Sequence, residues 1–131
     1  MEQRKINPWK WQDQYAFSQA IEVSNASRVL YCAGQASVDD NGKPMHAGDM
    51  RKQVDQAFRN LETVLKASGY SLANVVRLNY YTTDVEAFLK ASDVVGSRLA
   101  EAKSQPPGAL LGVAKLAFPG LMIEIEATAA K

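Results

Sequence analysis

Residues 105–131 read QPPGALLGVAKLAFPGLMIEIEATAAK, and the rest of the chain is organised around this stretch. It predicts two strands, residues 109–116 and 121–128, joined by a short loop. Because successive side chains of a strand point to opposite faces, Ile123, Ile125 and Ala127 share one face. The other face carries Met122, Glu124, Glu126 and Thr128. Two carboxylates therefore lie about 7 Å apart on one face of a sheet.

Hydrophobic periodicity predicts the other elements. A helix over residues 49–68 has an apolar stripe at spacings of three and four, and Gly69 suits its C-terminal cap. A second helix, opened by a Thr83–Glu86 capping box, runs to about residue 103. Strands are predicted at 17–23, 28–33 and 74–82, the first two forming a hairpin. The inward-facing residues of the second helix are Val85, Phe88, Leu89, Val95 and Leu99.

The order ββαβαββ indicates an α+β fold, a mixed β-sheet with two helices packed on one face. The length of 131 residues indicates a single domain, residues 1–131. One Cys and one His are too few for a structural zinc site, and no phosphate-binding glycine motif is present, so we expect neither metal nor cofactor. A net charge of +1 argues against nucleic acid and membrane partners, and a cytoplasmic protein is expected.

Two interpretations of the N-terminal residues 1–15 remain open. Cations beside Trp9 and Trp11 would bind nucleic acid by stacking, or the two rings would cover the body of the protein or a neighbouring subunit. The near-balanced charge favours the second interpretation.

Burial also predicts an oligomer. Two helices cover one face of a sheet, whereas strands 28–33, 74–82 and 109–116 carry apolar side chains on both faces. Since monomers rarely expose a large apolar patch, the second face is expected to pack against other copies of the chain.

Several motifs resemble the reactive intermediate deaminase (RidA/YjgF) family, also described as endoribonuclease L-PSP. They are FSQAIEV at 17–23, AGQAS at 33–37, NVVRLNYYTTDVEAF at 74–88 and IEIEATA at 123–129. The resemblance implies a chorismate-mutase-like fold and a homotrimer with a barrel-like sheet core. It also implies that a small-molecule ligand binds in clefts at the subunit interfaces.

The residues alone leave two readings of Glu124 and Glu126: charges held at the surface, or a carboxylate desolvated at an interface that holds a water. The resemblance favours Glu124 as the catalytic residue. In the family the first Glu of this motif positions the water that attacks an imine carbon, which releases ammonia.

The chain departs from the family at the ligand-binding positions. In the family an arginine binds the substrate carboxylate, and here that position is Gly108. We expect the glycine to enlarge the cleft. The matching tyrosine, cysteine and asparagine positions are Phe17, Leu110 and Ser92, whereas Gly34 is kept. We therefore expect little activity on common 2-imino acids. Arg77 and Arg98 could substitute for the arginine, but both are interpreted as surface charges.

Three hypotheses follow. The first is a hydrolase that deaminates an imine, enamine or related small molecule other than the common 2-imino acids. The second is a trimer that binds a small metabolite without turnover. The third, an endoribonuclease or translation inhibitor, ranks last because no basic patch or His pair is visible.

Overall fold

The final strand is the centre of the main sheet. In a computed structural model that describes residues 1–131, β7 (Ile123–Ala130) pairs antiparallel with β3 (Val29–Tyr31), β4 (Gln35–Ala36) and β5 (Val75–Thr82). The short strand β6 (Leu110–Gly112) adds to the edge parallel to β5. The predicted alternation is confirmed, because the apolar face of β7 is buried in the core and its polar face is half-buried.

One long helix covers the apolar face of this sheet. α1 (Met50–Ala67) begins at Asp49, whose carboxylate accepts a hydrogen bond from the Lys52 N–H. The chain leaves the helix through Gly69 at φ +79°, a conformation that favours glycine. The predicted stripe is confirmed, since its members are all buried: Met50, Val54, Phe58, Leu61 and Leu65.

The predicted second helix is in fact two helices, α2 (Val85–Lys90) and α3 (Ser92–Glu101). The series of helical hydrogen bonds is interrupted at Ala91, whose N–H bonds to Phe88 O in a tighter, 3-10-like turn. Ala91 is buried, which holds the bend between the two helices in place. The capping prediction was also wrong: Asp84, not Thr83, caps the helix by accepting from the Ala87 N–H.

The change in axis turns part of the predicted apolar face outward. Phe88, Val95 and Leu99 are buried as predicted, but Val85 and Leu89 are exposed. α3 is also tied to α1 by ion pairs from Arg98 to Asp55 and Glu62. Arg98 is therefore a structural residue and has no free charge for a ligand.

The sequence predicted a hairpin between the strands at 17–23 and 28–33, and this pairing is wrong. β2 (Ala20–Ser24) pairs antiparallel with β1 (Glu2–Ile6). Arg4 of β1 donates two hydrogen bonds to the carboxylate of Glu22 on β2. β3 follows β2 closely in sequence but instead extends the main sheet beside β7. The predicted strand at 109–116 is also shorter, at three residues.

The second face of the main sheet is uncovered and chemically mixed. β5 turns Arg77, Asn79 and Tyr81 toward it, opposite Thr128, Glu126 and Glu124 of β7. Val29 is 50% and Tyr31 80% exposed there. The prediction that β5 is apolar on both faces was therefore wrong, because the alternation about Leu78 places Arg77, Asn79 and Tyr81 together on this face. We call this surface the open face.

Candidate functional site

The two carboxylates of β7 have different surroundings. Glu126 accepts hydrogen bonds from Asn79 Nδ2 at 3.2 Å and from the Tyr81 hydroxyl at 2.9 Å. The second bond holds the pKa of Tyr81 above its ordinary value, because ionising the phenol would remove the donor. Glu124, opposite Tyr81 in the register, accepts no hydrogen bond and meets no cation within the chain. Glu124 is therefore the carboxylate free to hold a water or a ligand.

Gly34 lies directly against the carboxyl group of Glu124. A Cβ added to Gly34 would come within 2.6 Å of Glu124 Cδ and 2.9 Å of Oε2, closer than real contacts allow. β4 begins at the residue after Gly34 and pairs with β7 at Ala36 and Glu124, which brings Gly34 and Glu124 together. The chain thus brings the predicted residues Gly34 and Glu124 into contact, and the glycine leaves the space that the carboxyl group occupies.

A separate cavity of about 540 Å³ lies on the helix side of the sheet edge. Four of the predicted ligand-binding residues line it, namely Phe17, Ser92, Gly108 and Leu110. Its further lining comes mainly from Tyr15, Leu78, Tyr80, Phe88, Leu89 and Val95. We call this the aromatic pocket.

Aromatic rings dominate one wall and the mouth of this pocket. Tyr15 and Phe17 stack with centroids 6.2 Å apart, and the exposed Trp11 meets Phe17 edge-on at 5.9 Å. Deeper in, Tyr80 and Phe88 lie 5.3 Å apart. Burial raises the pKa of Tyr80 above its ordinary range, so its hydroxyl stays protonated. The pocket therefore presents ring surfaces and neutral hydroxyls.

No lysine or arginine lines the aromatic pocket, and its one carboxylate is already paired. Asp93 accepts from both terminal nitrogens of Arg51, at 2.8 and 2.7 Å. This ion pair lowers the pKa of Asp93 and leaves neither charge for a ligand.

Gly108 does not enlarge the pocket, contrary to the expectation from the sequence. A Cβ on Gly108 would lie 1.7 Å from the Leu78 carbonyl oxygen, so that direction is filled by the backbone of β5. The close approach is held by bonds from the Leu78 N–H to Pro107 O at 3.0 Å and from the Ala109 N–H to Asn79 Oδ1 at 3.1 Å. A glycine is needed here because two backbones meet.

The sheet separates the aromatic pocket from Glu124 within one chain. Leu78 and Tyr80 of β5 face the pocket, whereas Tyr81 and the opposing Glu124 face the open side. The predicted residues therefore form two groups, one on each face of the sheet.

Sequence reasoning missed Tyr80 and Phe88. The alternation of β5 places Tyr80 on the same face as Leu78, and this pattern could have identified it. Helical periodicity predicts Phe88 as an inward-facing residue, and it is buried, but that pattern did not mark it as part of a site.

Cys32 and His46, the single cysteine and histidine of the chain, lie outside both groups of predicted site residues. Cys32 is buried in the core, and burial raises the pKa of its thiol. His46 sits in a loop at φ +62°, where its carbonyl accepts a hydrogen bond from Gln53 Nε2.

No group of three or more His, Cys, Asp and Glu side chains is placed to hold a metal ion. None of the helices has the length and apolarity needed to cross a bilayer.

The family model described as Endoribonuclease L-PSP matches residues 11–131. A RutC family protein of Pyrococcus horikoshii is 34% identical over 115 residues, covering 88% of this chain and 86% of that protein. A 2-iminobutanoate/2-iminopropanoate deaminase of Dermatophagoides farinae is 32% identical over 79 residues, 60% of this chain and 59% of that protein. A Rid family protein of unknown function from Yersinia pestis superposes with a TM-score of 0.85 at 33% identity, covering all of both chains.

Proposed function

Because this chain belongs to the endoribonuclease L-PSP family, also called RidA/YjgF, we propose that it is a hydrolytic deaminase of small reactive nitrogen metabolites. The substrate is an imine, an enamine or a related small molecule. The observation that carries the proposal is the free carboxylate of Glu124 beside Gly34, next to a Glu126 that is already hydrogen-bonded.

The proposed chemistry needs one oriented water and one proton carrier. Glu124 accepts a proton from the water as its oxygen bonds to the C=N carbon, and the nitrogen takes up a proton. The tetrahedral adduct then expels ammonia as the C–N bond breaks, which leaves a carbonyl compound. Imine and water are thus converted to carbonyl and ammonia without an oxidant or a cofactor. Glu126 is less suited to this role, because its Oε1 already accepts hydrogen bonds from Asn79 and Tyr81.

The aromatic pocket supports a substrate other than the common 2-imino acids. The mite relative is named for 2-iminobutanoate and 2-iminopropanoate, which both carry a carboxylate. This pocket has no free cation for such a group, and its ring-lined walls match a neutral, bulky or aromatic side group. The protonated Tyr80 hydroxyl is available to orient one polar atom of the ligand.

We further propose that the active unit is a homotrimer, in which Glu124 of one copy faces the aromatic pocket of the next. A single chain supports this arrangement in two ways. The sheet keeps its own pocket and its own Glu124 apart, and the open face exposes apolar side chains such as Tyr31. The barrel-like sheet core would then bury these side chains.

An ammonia-release assay tests the substrate class. We expect freshly generated imines of aromatic or bulky uncharged carbonyl compounds to be hydrolysed above the uncatalysed rate. Imines that carry an α-carboxylate should react about tenfold to hundredfold less efficiently, because the cation that would bind the carboxylate is absent from the pocket. The opposite preference would show that a cation not identified in the pocket binds the substrate.

Mixing two inactive variants tests the shared site. Glu124→Gln removes the proton carrier, and Ser92→Trp fills the aromatic pocket. If the site is shared, unfolding and refolding equal amounts of the two variants together should restore about a quarter of the activity, because about one interface in four then combines an intact Glu124 with an intact pocket. Light scattering on the same samples gives the mass. A monomer, or activity no higher than either variant alone, would contradict the shared site.

A non-catalytic binding protein is the second candidate, and one observation favours it. The aromatic pocket contains no unpaired acid or base of its own, so by itself it can bind a small metabolite but cannot move a proton. In that case the imine assay shows no rate, whereas a neutral aromatic ligand still binds. We do not propose ribonuclease activity, because the net charge of +1 offers no attraction for RNA.

A further inference from the structure

Arg77 differs from the other arginines of the chain in having no partner. Of the six arginines, four form ion pairs with carboxylates and Arg28 lies over the ring of Tyr70 at 5.4 Å. Arg77 has no carboxylate and no ring within interaction distance. The nearest carboxylate along its face, Glu126, is already held by Asn79 and Tyr81. Its guanidinium is therefore free to bind an anion.

Arg77 lines a second cavity, of about 290 Å³, between β2 and the open face. Two other polar side chains share this cavity, Gln19 and Thr128, and no carboxylate is among its lining residues. Gln19 Nε2 is buried without any acceptor. An unpaired buried donor is costly, and an acceptor in the cavity would satisfy it if the amide turned toward the cavity. The apolar walls are formed by Ile21, Val23, Val76 and Pro107.

We propose that this cavity binds the carboxylate of a small aliphatic acid. Both carboxylate oxygens would be bound by the planar guanidinium of Arg77, with Gln19 and the Thr128 hydroxyl as further donors. The branched side chains opposite would contact a short alkyl group. A cavity at the lower end of the size range for ligand sites restricts the ligand to a few carbon atoms.

This carboxylate site is distinct from the proposed deaminase site. Thr128 lies four residues along β7 from Glu124, about 13 Å at the rise of a strand, so one short acid cannot reach both. The two cavities nevertheless lie on either side of the same segments. Pro107 lines this site while Pro106 and Gly108 line the aromatic pocket, and Gln19 follows Phe17 by two residues. The inference goes beyond the proposed deaminase activity. Because Arg77 and Thr128 belong to the open face, it requires that the proposed homotrimer leave this cavity accessible.

The test is a titration of the intact protein with isobutyrate, followed by calorimetry and by the amide resonances of residues 19–23. We expect saturable binding of isobutyrate and none of isobutyramide, which has the same shape without the charge. Arg77→Gln should weaken binding about tenfold to hundredfold. Arg77→Lys should weaken binding by less, since lysine retains the charge but cannot donate two parallel hydrogen bonds to the carboxylate. Arg59→Gln, which changes an exposed arginine paired with Asp55, is the matched control and should bind as the unchanged protein does.

Several results would overturn the proposal. Equal affinities for isobutyrate in Arg77→Gln and in the unchanged protein would show that Arg77 does not bind it. Equal affinities for isobutyramide and isobutyrate would show that the charge is not recognised, and tighter binding of inorganic phosphate would replace the carboxylate class. Melting temperature and molecular mass of each variant are measured alongside, so that a folding or assembly defect is not mistaken for lost binding. Loss of deaminase activity in Glu124 variants leaves this test unaffected.

Discussion

Glu124→Gln should lower the rate of imine hydrolysis by about 10²- to 10⁴-fold, while ligand affinity changes little. Glutamine keeps the size of the side chain and the contact with Gly34, but it cannot accept a proton from water. Steady-state ammonia release gives the rate, and equilibrium binding of a non-hydrolysable aromatic ligand gives the affinity. A binding protein without turnover would show no rate to lose in either form.

Glu126→Gln is the matched control for this prediction. It lies on the same strand face, but it accepts hydrogen bonds from Asn79 and Tyr81, so its loss should mainly affect local packing. We expect less than about a tenfold fall in rate. Gly34→Ala should give an intermediate loss, because the added methyl displaces the Glu124 carboxyl group. A larger loss from Glu126→Gln than from Glu124→Gln would reverse the assignment of the two carboxylates.

Gly108→Arg should destabilise the protein strongly rather than restore activity on 2-imino acids. Any side chain at this position places Cβ 1.7 Å from the Leu78 oxygen, so β5 and the residues before β6 would have to separate. The separation breaks backbone bonds such as Tyr80 N–H to Ala109 O. We expect a loss of more than about 4 kcal/mol in the free energy of unfolding, in the range reserved for severe core changes. In a thermal melt this corresponds to a fall in Tm of more than about 10 °C.

Gly108→Ala separates the effect of Cβ from that of the guanidinium, and it should destabilise the protein as Gly108→Arg does. Gly96→Ala is the matched control, because a Cβ there meets no atom within 4 Å. Since Gly96 lies inside α3, alanine should raise stability by about 0.5–1 kcal/mol. A Gly108→Arg protein with an unchanged Tm and new activity on carboxylated imines would show that the two backbones do not meet as described.

Local periodicity determined much of this fold. The alternation in IEIEATA was enough to orient β7, because the two-residue period of a strand does not depend on its neighbours. The stripe of α1 and the turn at Gly69 follow in the same way from the helical period and from the freedom of glycine at positive φ. The family motifs added the candidate positions, because they mark the order of the elements along the chain.

Only the tertiary structure decided which elements meet. β2 pairs with β1 rather than with the adjacent β3, which pairs with β7 instead, and the helix breaks at Ala91, which is buried. The two glutamates of β7 have similar local sequences and share one face of the strand. The hydrogen bonds from β5 to Glu126 and the contact of Gly34 with Glu124 distinguish them. From the sequence, the missing side chain of Gly108 was expected to leave space in the cleft, yet the backbone of β5 at Leu78 fills that space. These features depend on contacts between residues distant in the chain, and no local pattern carries that information.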